Sequence, residues 1–264
     1  MRCRLDGGYL WARAFASPLS AALLHIAFTG SDQSCTSRER NPVGKKGGSW
    51  HRQRGRDVFF HEAKRLGLRS RAAFKLEAMA AKARLFRSGQ TVVDLGAAPG
   101  GWSEVARRAI GPKGRVVAID RLEMEPIAGV QFIHGDFLSP EVHRRLQEVI
   151  GDRSADLVLS DMAPNLSGVK ANDQSRWRDL ADGAAEFALG ALKPEGAFLI
   201  KLLQGEEAQD YLRMLRRAFV RVSIQKPPAS RDRSSEFYAL ARGIDSAAGS
   251  FLRDDERNDS PSGD

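Results

Sequence analysis

Cysteine is scarce in this sequence: its 264 residues include two, Cys3 and Cys35, and neither lies at a metal-ligand spacing. This scarcity argues against a disulfide framework and against a structural zinc site, and it fits a reducing cytosolic setting. No apolar run approaches the roughly 20 residues that a membrane-spanning helix needs. We therefore expect a soluble cytoplasmic protein without a metal site.

The basic charge of the chain is unevenly distributed. The chain has a net charge of +8 and a pI near 9.8, and residues 44–75 alone carry a net charge of +8. A basic stretch of this kind is typical of proteins that bind a polyanion such as RNA or DNA, although a solvated arm without a partner would have the same composition. The basic residues of this arm are Lys45, Lys46, Arg52, Arg54, Arg56, Lys64, Arg65, Arg69, Arg71 and Lys75.

Both ends of the chain lack the patterns of a folded domain. Within residues 1–43, the apolar stretch 14–28 faintly suggests a targeting peptide, but Pro18 interrupts it and no clean cleavage site follows. We interpret residues 1–43 as a disordered extension or the product of a wrongly assigned start codon, in preference to a targeting peptide. Residues 243–264 are rich in Asp, Ser and Gly, which predicts a disordered acidic tail.

Between the two ends, short apolar runs rich in β-branched residues alternate with helical periods. This alternation predicts an α/β fold with βαβ units, a mainly parallel sheet and helices on both faces, in one domain over residues 44–242. No helix separates the last two strands, which predicts an antiparallel hairpin at the edge of the sheet. Such a sheet binds ligands at the carboxyl ends of its strands. The predicted strands are 91–95, 115–120, 130–134, 155–160, 197–202, 220–225 and 236–241, and the predicted helices are 69–84, 101–110, 140–150, 173–192 and 206–218.

A glycine loop, Gly96–Gly101, follows the first predicted strand. Its glycines allow a sharp turn and a close approach of the backbone to a ligand, and the next helix would offer free N–H groups to a carboxylate or phosphate. The loop differs from the G-x-G-x-x-G pattern of dinucleotide-binding proteins because Ala98 stands two residues after Gly96, which disfavours a nicotinamide dehydrogenase. Asp94, inside the strand, would be awkward beside a pyrophosphate but would suit the ammonium of a methionine moiety.

Acidic residues mark the first three strand ends. Asp120 follows Gly100 by twenty residues, a spacing that suits the ribose hydroxyls of a nucleoside cofactor, and Asp136 could accept a hydrogen bond from an adenine amino group. Each acid alone could equally be a helix cap or turn residue. Together with Asp94, they indicate a nucleoside cofactor.

The fourth and fifth strands end in side chains of opposite charge. Asp161 follows the fourth strand, and Lys201 ends an otherwise apolar run on the same edge. We expect Lys201 to face the cofactor crevice; the alternative is a surface lysine whose stem lies along apolar residues. Lys75 and Glu236 complete a possible constellation with Asp161, although spacing alone assigns neither.

Four motifs in this order give the sequence a family resemblance over about residues 50–242. They are Leu68–Leu76, Val93–Trp102, Ser160–Asn165, and Lys201 followed by Gln204-Gly205-Glu206. With them the sequence resembles the FtsJ-type family of RNA 2′-O-methyltransferases, and within it the bacterial enzymes that act on uridine in 23S ribosomal RNA.

The resemblance implies a class I methyltransferase fold, Rossmann-like, with a seven-stranded, mostly parallel sheet, and S-adenosylmethionine as the cofactor. It implies a catalytic tetrad of Lys75, Asp161, Lys201 and Glu236. By the same motifs, the cofactor contacts fall on Gly100, Trp102, Asp120, Asp136 and Asp161. The sequence departs from the family at Ser235, where a basic residue is common, and this weakens one expected phosphate contact.

The resemblance also implies a substrate, namely 23S ribosomal RNA in the large (50S) subunit or its late precursor, and we expect a monomer. A relative of the same family acting on tRNA or another RNA is the nearest alternative, and a non-catalytic ribosome-assembly factor is a more distant one. Trp50, Phe59 and Phe60 could stack on bases, although core packing is at least as expected for the two phenylalanines. Lys201 could act as a general base, or it could remain charged and stabilise the developing alkoxide.

Overall fold

The structure is a computed structural model that describes residues 58–151, 154–164, 170–227 and 236–245. Several sequence predictions lie outside these residues: the extension 1–43, residues 44–57 of the basic arm with Trp50, the position of Ser235, and the tail from residue 246 onward.

The described residues form six helices and seven strands. The helices are α1 (Val58–Arg65), α2 (Ala72–Ala83), α3 (Gly101–Ile110), α4 (Pro140–Ile150), α5 (Lys170–Ala191) and α6 (Glu206–Ala218). The strands are β1 (Thr91–Leu95), β2 (Arg115–Asp120), β3 (Val130–His134), β4 (Ala155–Ser160), β5 (Leu192–Leu203), β6 (Phe219–Gln225) and β7 (Glu236–Ile244). Every predicted strand is confirmed, and the five predicted helices correspond to α2–α6.

All seven strands form one sheet in the order β3-β2-β1-β4-β5-β7-β6. Strands β1 to β5 are parallel to one another, whereas β7 is antiparallel to both β5 and β6. The predicted antiparallel pair is therefore confirmed, with β7 inserted between β5 and the edge strand β6. The sheet matches the expected class I methyltransferase architecture.

Two hydrophobic cores cover the two faces of the sheet. Alternate strand residues point to opposite faces, so Ile200 belongs to the core beneath α4, α5 and α6, and Leu199 to the core beneath α2 and α3. The central strands are buried on both faces, which explains their nearly continuous apolar sequences. The carboxyl edge of the sheet is consequently held between two packed layers.

The structure differs from the predictions in one additional helix and two strand boundaries. Helix α1 falls within the predicted arm, and it folds there because the Phe59 ring packs 5.8 Å from that of Phe74 and Ala63 is buried. Strand β5 begins at Leu192, before the predicted start at 197. Strand β7 continues to Ile244, which pairs with Phe219, so residues 243 and 244 belong to the sheet and not to the predicted tail.

Phe59 packs against Phe74, which agrees with core packing, the alternative to base stacking. The side chain of Phe60 lies outside the described residues. None of the helices in the described ranges combines the length and apolar character that crossing a membrane requires.

Candidate active site

The strand register brings the predicted site residues to one edge of the sheet. Ser160 pairs with Ile200, so Asp161 and Lys201 follow these residues side by side, and Lys201 pairs with Tyr238 on β7. On the other side of β1, Asp120 follows Ile119, the partner of Leu95. Parallel strands end at a common edge, which is why residues distant in sequence converge here.

The four residues of the predicted tetrad form two ion pairs. The Lys75 ammonium donates to the carboxylate of Glu236. The Lys201 ammonium lies 3.1 Å from Asp161 Oδ1 and also donates to the Asp161 backbone carbonyl. The lysine side chains are 6% and 9% exposed. The surface-lysine alternative for Lys201 is therefore wrong, because its ammonium is enclosed beside Asp161.

Tyr238 links the two ion pairs. Its hydroxyl donates to Asp161 Oδ1 at 2.9 Å and lies 3.5 Å from Lys75 Nζ, and the residue is fully buried. The sequence analysis assigned no role to Tyr238. Its only available signal was its position two residues after Glu236, which places both side chains on the same face of β7.

The electrostatics of the cluster favour an ionised Glu236 and a neutral Tyr238. Burial alone would raise the pKa of Glu236, but the hydrogen bond and charge of Lys75, with the charges of Lys201 and Arg71, outweigh burial and lower it. Burial raises the pKa of Tyr238 far above its usual range, and the negative charges of Asp161 and Glu236 raise it further. Tyr238 is therefore a hydrogen-bond donor at every physiological pH.

The glycine loop turns as predicted, and helix α3 begins at Gly101 with its first N–H groups at the site. The structure adds a second reason for the glycines. A Cβ atom on Gly96 would come within 2.6 Å of the Met162 side chain, and one on Gly101 within 2.3 Å of Ser70 Oγ. The loop therefore packs directly against the segment after β4, which carries Asp161, and against the segment that leads into α2, the helix that carries Lys75.

Asp94 lies beneath this loop with one oxygen unpaired. The residue is fully buried; Ser103 Oγ donates to Asp94 Oδ2 at 2.6 Å, while Oδ1 has no hydrogen-bond partner among the described residues. Burial raises the pKa of Asp94 to about 7; the hydrogen bond from Ser103 opposes this shift, and the charges of Asp161 and Asp120 add to it. A buried acceptor without a donor is costly, so this position suits a ligand that brings a donor or a positive charge.

Asp120 and Asp136 both hold local turns, as the turn alternative expected. The two oxygens of Asp120 accept from the N–H groups of Ala98 and Leu122 at 2.9 and 2.8 Å, and Asp136 Oδ1 accepts from Leu138 N–H at 3.0 Å. A carboxylate oxygen accepts more than one hydrogen bond, so these bonds orient the side chains and leave acceptor capacity for a ligand. Asp120 and Asp136 can therefore hold these turns and also accept hydrogen bonds from a cofactor.

Trp102, predicted as a cofactor contact, has a side chain engaged in packing. It is buried, its indole N–H donates to the Ala72 carbonyl at 2.8 Å, and its ring lies 5.7 Å from that of Tyr238. The group that Trp102 can offer a cofactor is consequently its main-chain N–H in the first turn of α3.

Arg69, counted in the basic arm, contacts the protein backbone. Its guanidinium donates to the carbonyls of Glu125 at 2.8 Å and Pro126 at 2.9 Å, and reaches that of Pro99 at 3.5 Å. These carbonyls belong to the glycine loop and to the loop after β2. Arg69 therefore fastens two loops of the candidate cofactor site, a role that net charge could not reveal.

Comparisons with known proteins agree with this geometry. Residues 68–244 match the protein family described as FtsJ-like methyltransferase. The chain is 53% identical over 194 residues to the ribosomal RNA large subunit methyltransferase E of Xanthomonas oryzae pv. oryzae, a match that covers 74% of this chain and 92% of that protein. It is 54% identical, with the same coverage, to the enzyme of that name from Stenotrophomonas maltophilia.

Among solved structures, a Plasmodium falciparum protein assigned as a ribosomal RNA methyltransferase has a TM-score of 0.60 and 26% identity, covering 67% of this chain and 98% of that one. The family match and the 53% identity over nearly the whole length of a curated relative confirm the resemblance drawn from the motifs. The chain belongs to the FtsJ-like methyltransferase family.

Proposed function

We propose that this chain transfers the methyl group of S-adenosylmethionine to the ribose 2′-hydroxyl of a uridine in 23S ribosomal RNA, in the cytoplasm. The observation that carries the proposal is the buried cluster of Lys75, Asp161, Lys201, Glu236 and Tyr238 beside the glycine loop. The substrate is supported by the relatives named ribosomal RNA large subunit methyltransferase E, which share more than half of their residues with the aligned part of this chain.

The residues present fit this cofactor. The unpaired Asp94 Oδ1 suits an ammonium, and the first N–H groups of α3, including that of Trp102 after Gly100, suit a carboxylate. Asp120 and Asp136 are oriented at the next two strand ends, where ribose hydroxyls and an adenine amino group would find acceptors. The cofactor supplies a methyl group activated by a positively charged sulfur.

The surroundings of Lys201 favour its action as a charged donor. An ammonium has three N–H bonds. Two are directed at the carboxylate and the carbonyl of Asp161, which leaves the third for a ribose oxygen. Directed at that oxygen, the ammonium stabilises the negative charge that develops as the hydroxyl attacks. A charged ammonium cannot accept a further proton, so the proton that the hydroxyl loses passes to the Asp161 carboxylate beside Lys201.

Lys201→Ala tests the proposed chemistry. Removing a donor to a developing oxyanion costs about 100- to 1000-fold in rate, so we expect transfer of tritiated methyl to fall by at least that factor while calorimetry shows cofactor affinity within about threefold of the wild type. Methyl transfer at the wild-type rate would disprove the proposed role.

The substrate is tested by offering large subunits, naked 23S ribosomal RNA and tRNA as acceptors to the wild-type chain. We expect label in 23S RNA, on a 2′-O-methylated uridine after nuclease digestion. Label in tRNA alone would assign the chain to another RNA, and cofactor binding without transfer to any RNA would favour the assembly-factor alternative.

A further inference from the structure

We propose that Arg87, Arg221 and Arg242 form a second phosphate-binding site for the RNA substrate, at the end of β7 opposite the catalytic residues. This arginine cluster deepens the proposed function and rests on it. It lies outside the basic arm 44–75 and has no part in the site described above.

The three arginines converge from separate segments. Arg221 and Arg242 are direct partners across β6 and β7, so their side chains share one face of the sheet. The Arg242 guanidinium also donates to the Ala83 carbonyl at the end of α2, and Arg87 follows on the loop from α2 to β1. Burial, and then the positive charges of Arg87 and Arg221, lower the pKa of Arg242.

The cluster lacks compensating negative charge. Within the ranges that the structure describes, no carboxylate forms an ion pair with any of the three, and Arg87 and Arg221 are exposed. Other exposed arginines do pair with acids, for example Arg144 with Glu148 and Arg213 with Asp210. Like charges directly opposite each other on paired strands are destabilising. An anionic partner would remove that penalty, and an RNA backbone supplies closely spaced negative charges.

The position of the cluster relative to the catalytic residues suits one continuous RNA strand. Arg242 follows Tyr238 by four residues on β7, about 13 Å at 3.3 Å per residue, and on the same face of the strand. Helix α2 runs alongside, since Lys75 contacts Tyr238 at one end and Ala83 contacts Arg242 at the other. Phosphates a few nucleotides from the ribose at Lys201 would therefore reach the cluster.

The test compares the salt dependence of RNA binding in matched double variants of the full chain. In Arg87→Gln/Arg221→Gln, two exposed charges are lost, so we expect the slope of log K against log salt for 23S RNA to fall by about 1.4 to 1.8, at 0.7 to 0.9 per phosphate contact. Affinity at about 0.1 M salt should fall at least about fivefold. Cofactor affinity and the rate at saturating RNA should stay at wild-type values.

The control is Arg144→Gln/Arg213→Gln, which removes two exposed arginines that are already paired with acids, and it should keep the wild-type slope. The charge-preserving variant Arg87→Lys/Arg221→Lys should restore most of the slope, which separates loss of charge from loss of structure.

An unchanged slope in the glutamine variant, or an equal fall in the control, would overturn the proposal. So would unchanged binding of naked RNA with weaker binding of intact subunits, since an acidic protein surface would then be the partner. RNA binding is measured without methyl transfer, so failure of the proposed chemistry would be distinguishable.

Discussion

Tyr238 shows how one hydroxyl can set the geometry of a reaction without taking part in proton exchange. Its phenol stays neutral, because burial and nearby carboxylates raise its pKa, and it holds Asp161 Oδ1 in place beside Lys201. The orientation of the Asp161 carboxylate, and hence of the Lys201 ammonium, depends on this bond. We therefore regard Tyr238 as a positioning residue.

Tyr238→Phe keeps the ring against Trp102 and removes the hydroxyl. Loss of a buried hydrogen bond to a charged group costs about 1.5–3 kcal/mol, so we expect the methyl-transfer rate to fall roughly ten- to hundredfold with little change in cofactor affinity. The measurement is kcat with tritiated methyl.

Tyr211→Phe is the matched control. Tyr211 is equally buried and its hydroxyl donates to the Ala181 carbonyl in the opposite core. This variant should lower the melting temperature and leave kcat near the wild-type value. Equal losses of kcat in both variants would show that Tyr238 contributes only stability.

On the proposed function, we expect Asp94 to make cofactor affinity depend on pH. Burial raises the pKa of Asp94 to about 7, so below pH 7 the carboxyl is mainly protonated and must release its proton to pair with an ammonium. Affinity for S-adenosylmethionine should therefore increase from pH 5.5 to about 7 and then level off. Calorimetry in two buffers of different ionisation enthalpy should detect proton release at pH 6.

Asp94→Asn should bind the cofactor more weakly and without this pH dependence. The raised pKa also predicts that the wild-type protein loses stability as the pH rises from about 4 to about 7. Over this range the unfolded chain has already released the Asp94 proton, whereas the folded chain still holds it. An asparagine variant with the pH profile of the wild type would assign the titration to another group.

At the scale of elements, two loops and one helix end build the cofactor side of the site. Arg69 joins the loop after β2 to the glycine loop through three backbone carbonyls. The loop after β2 also touches Gly100, since a Cβ there would lie 2.8 Å from Ile127 and 3.3 Å from Met124. The position of the loop after β2 thus depends on a residue from the segment before α2.

Arg69→Gln should release this connection. We expect KM for S-adenosylmethionine to increase roughly five- to thirtyfold, as one or two hydrogen bonds at about 1 kcal/mol each are lost, with an unchanged salt slope for RNA binding. Arg65→Gln is the control, because Arg65 pairs with Glu62 on exposed α1 and should leave this KM unchanged. A reduced salt slope in Arg69→Gln would show instead that Arg69 contacts RNA phosphates, as its place in the basic arm 44–75 suggested.

The elements could be predicted because hydrophobic periodicity determines them. The helical period of residues 206–218 predicts α6 with the observed bounds, and the apolar run before Lys201 predicts the second half of β5. Helix α1 was missed because it is only eight residues long and lies in a basic stretch, and its packing depends on a tertiary contact between Phe59 and Phe74.

The site could be predicted where a residue ends a strand, and could not where its role depends on a contact across the fold. Lys201 and Asp161 follow from strand ends. Tyr238 and Arg69 depend on partners 77 and more than 50 residues away, Asp161 for the first and two backbone carbonyls for the second. A single sequence contains no direct information about such pairs.

At the scale of the whole molecule, the described elements run from residue 58 to residue 244 in one sheet with two covered faces. We propose that residues 1–43 contribute nothing to this unit. A chain beginning at residue 44 should therefore keep the melting temperature within about 2 °C, the expected effect of less than about 0.5 kcal/mol in a domain of this size.

Its kcat on ribosomal RNA should also match the full chain. Extending the deletion to residue 75 provides the contrast, since it removes Lys75 and should abolish transfer. A large loss on deletion of residues 1–43 alone would show that the extension belongs to the working enzyme.

The insertion of β7 between β5 and β6 has a consequence for synthesis. A ribosome makes the chain from its N-terminus, so β5 and β6 exist before the strand that must enter between them. Glu236 and Tyr238 belong to that strand, and they are the hydrogen-bond partners of Lys75 and Asp161. A nascent or prematurely terminated chain could thus fold much of its cofactor side while lacking the groups that complete the reaction centre. On the proposed function, a chain that is still being synthesised would then be unable to methylate the RNA of the ribosome that is producing it.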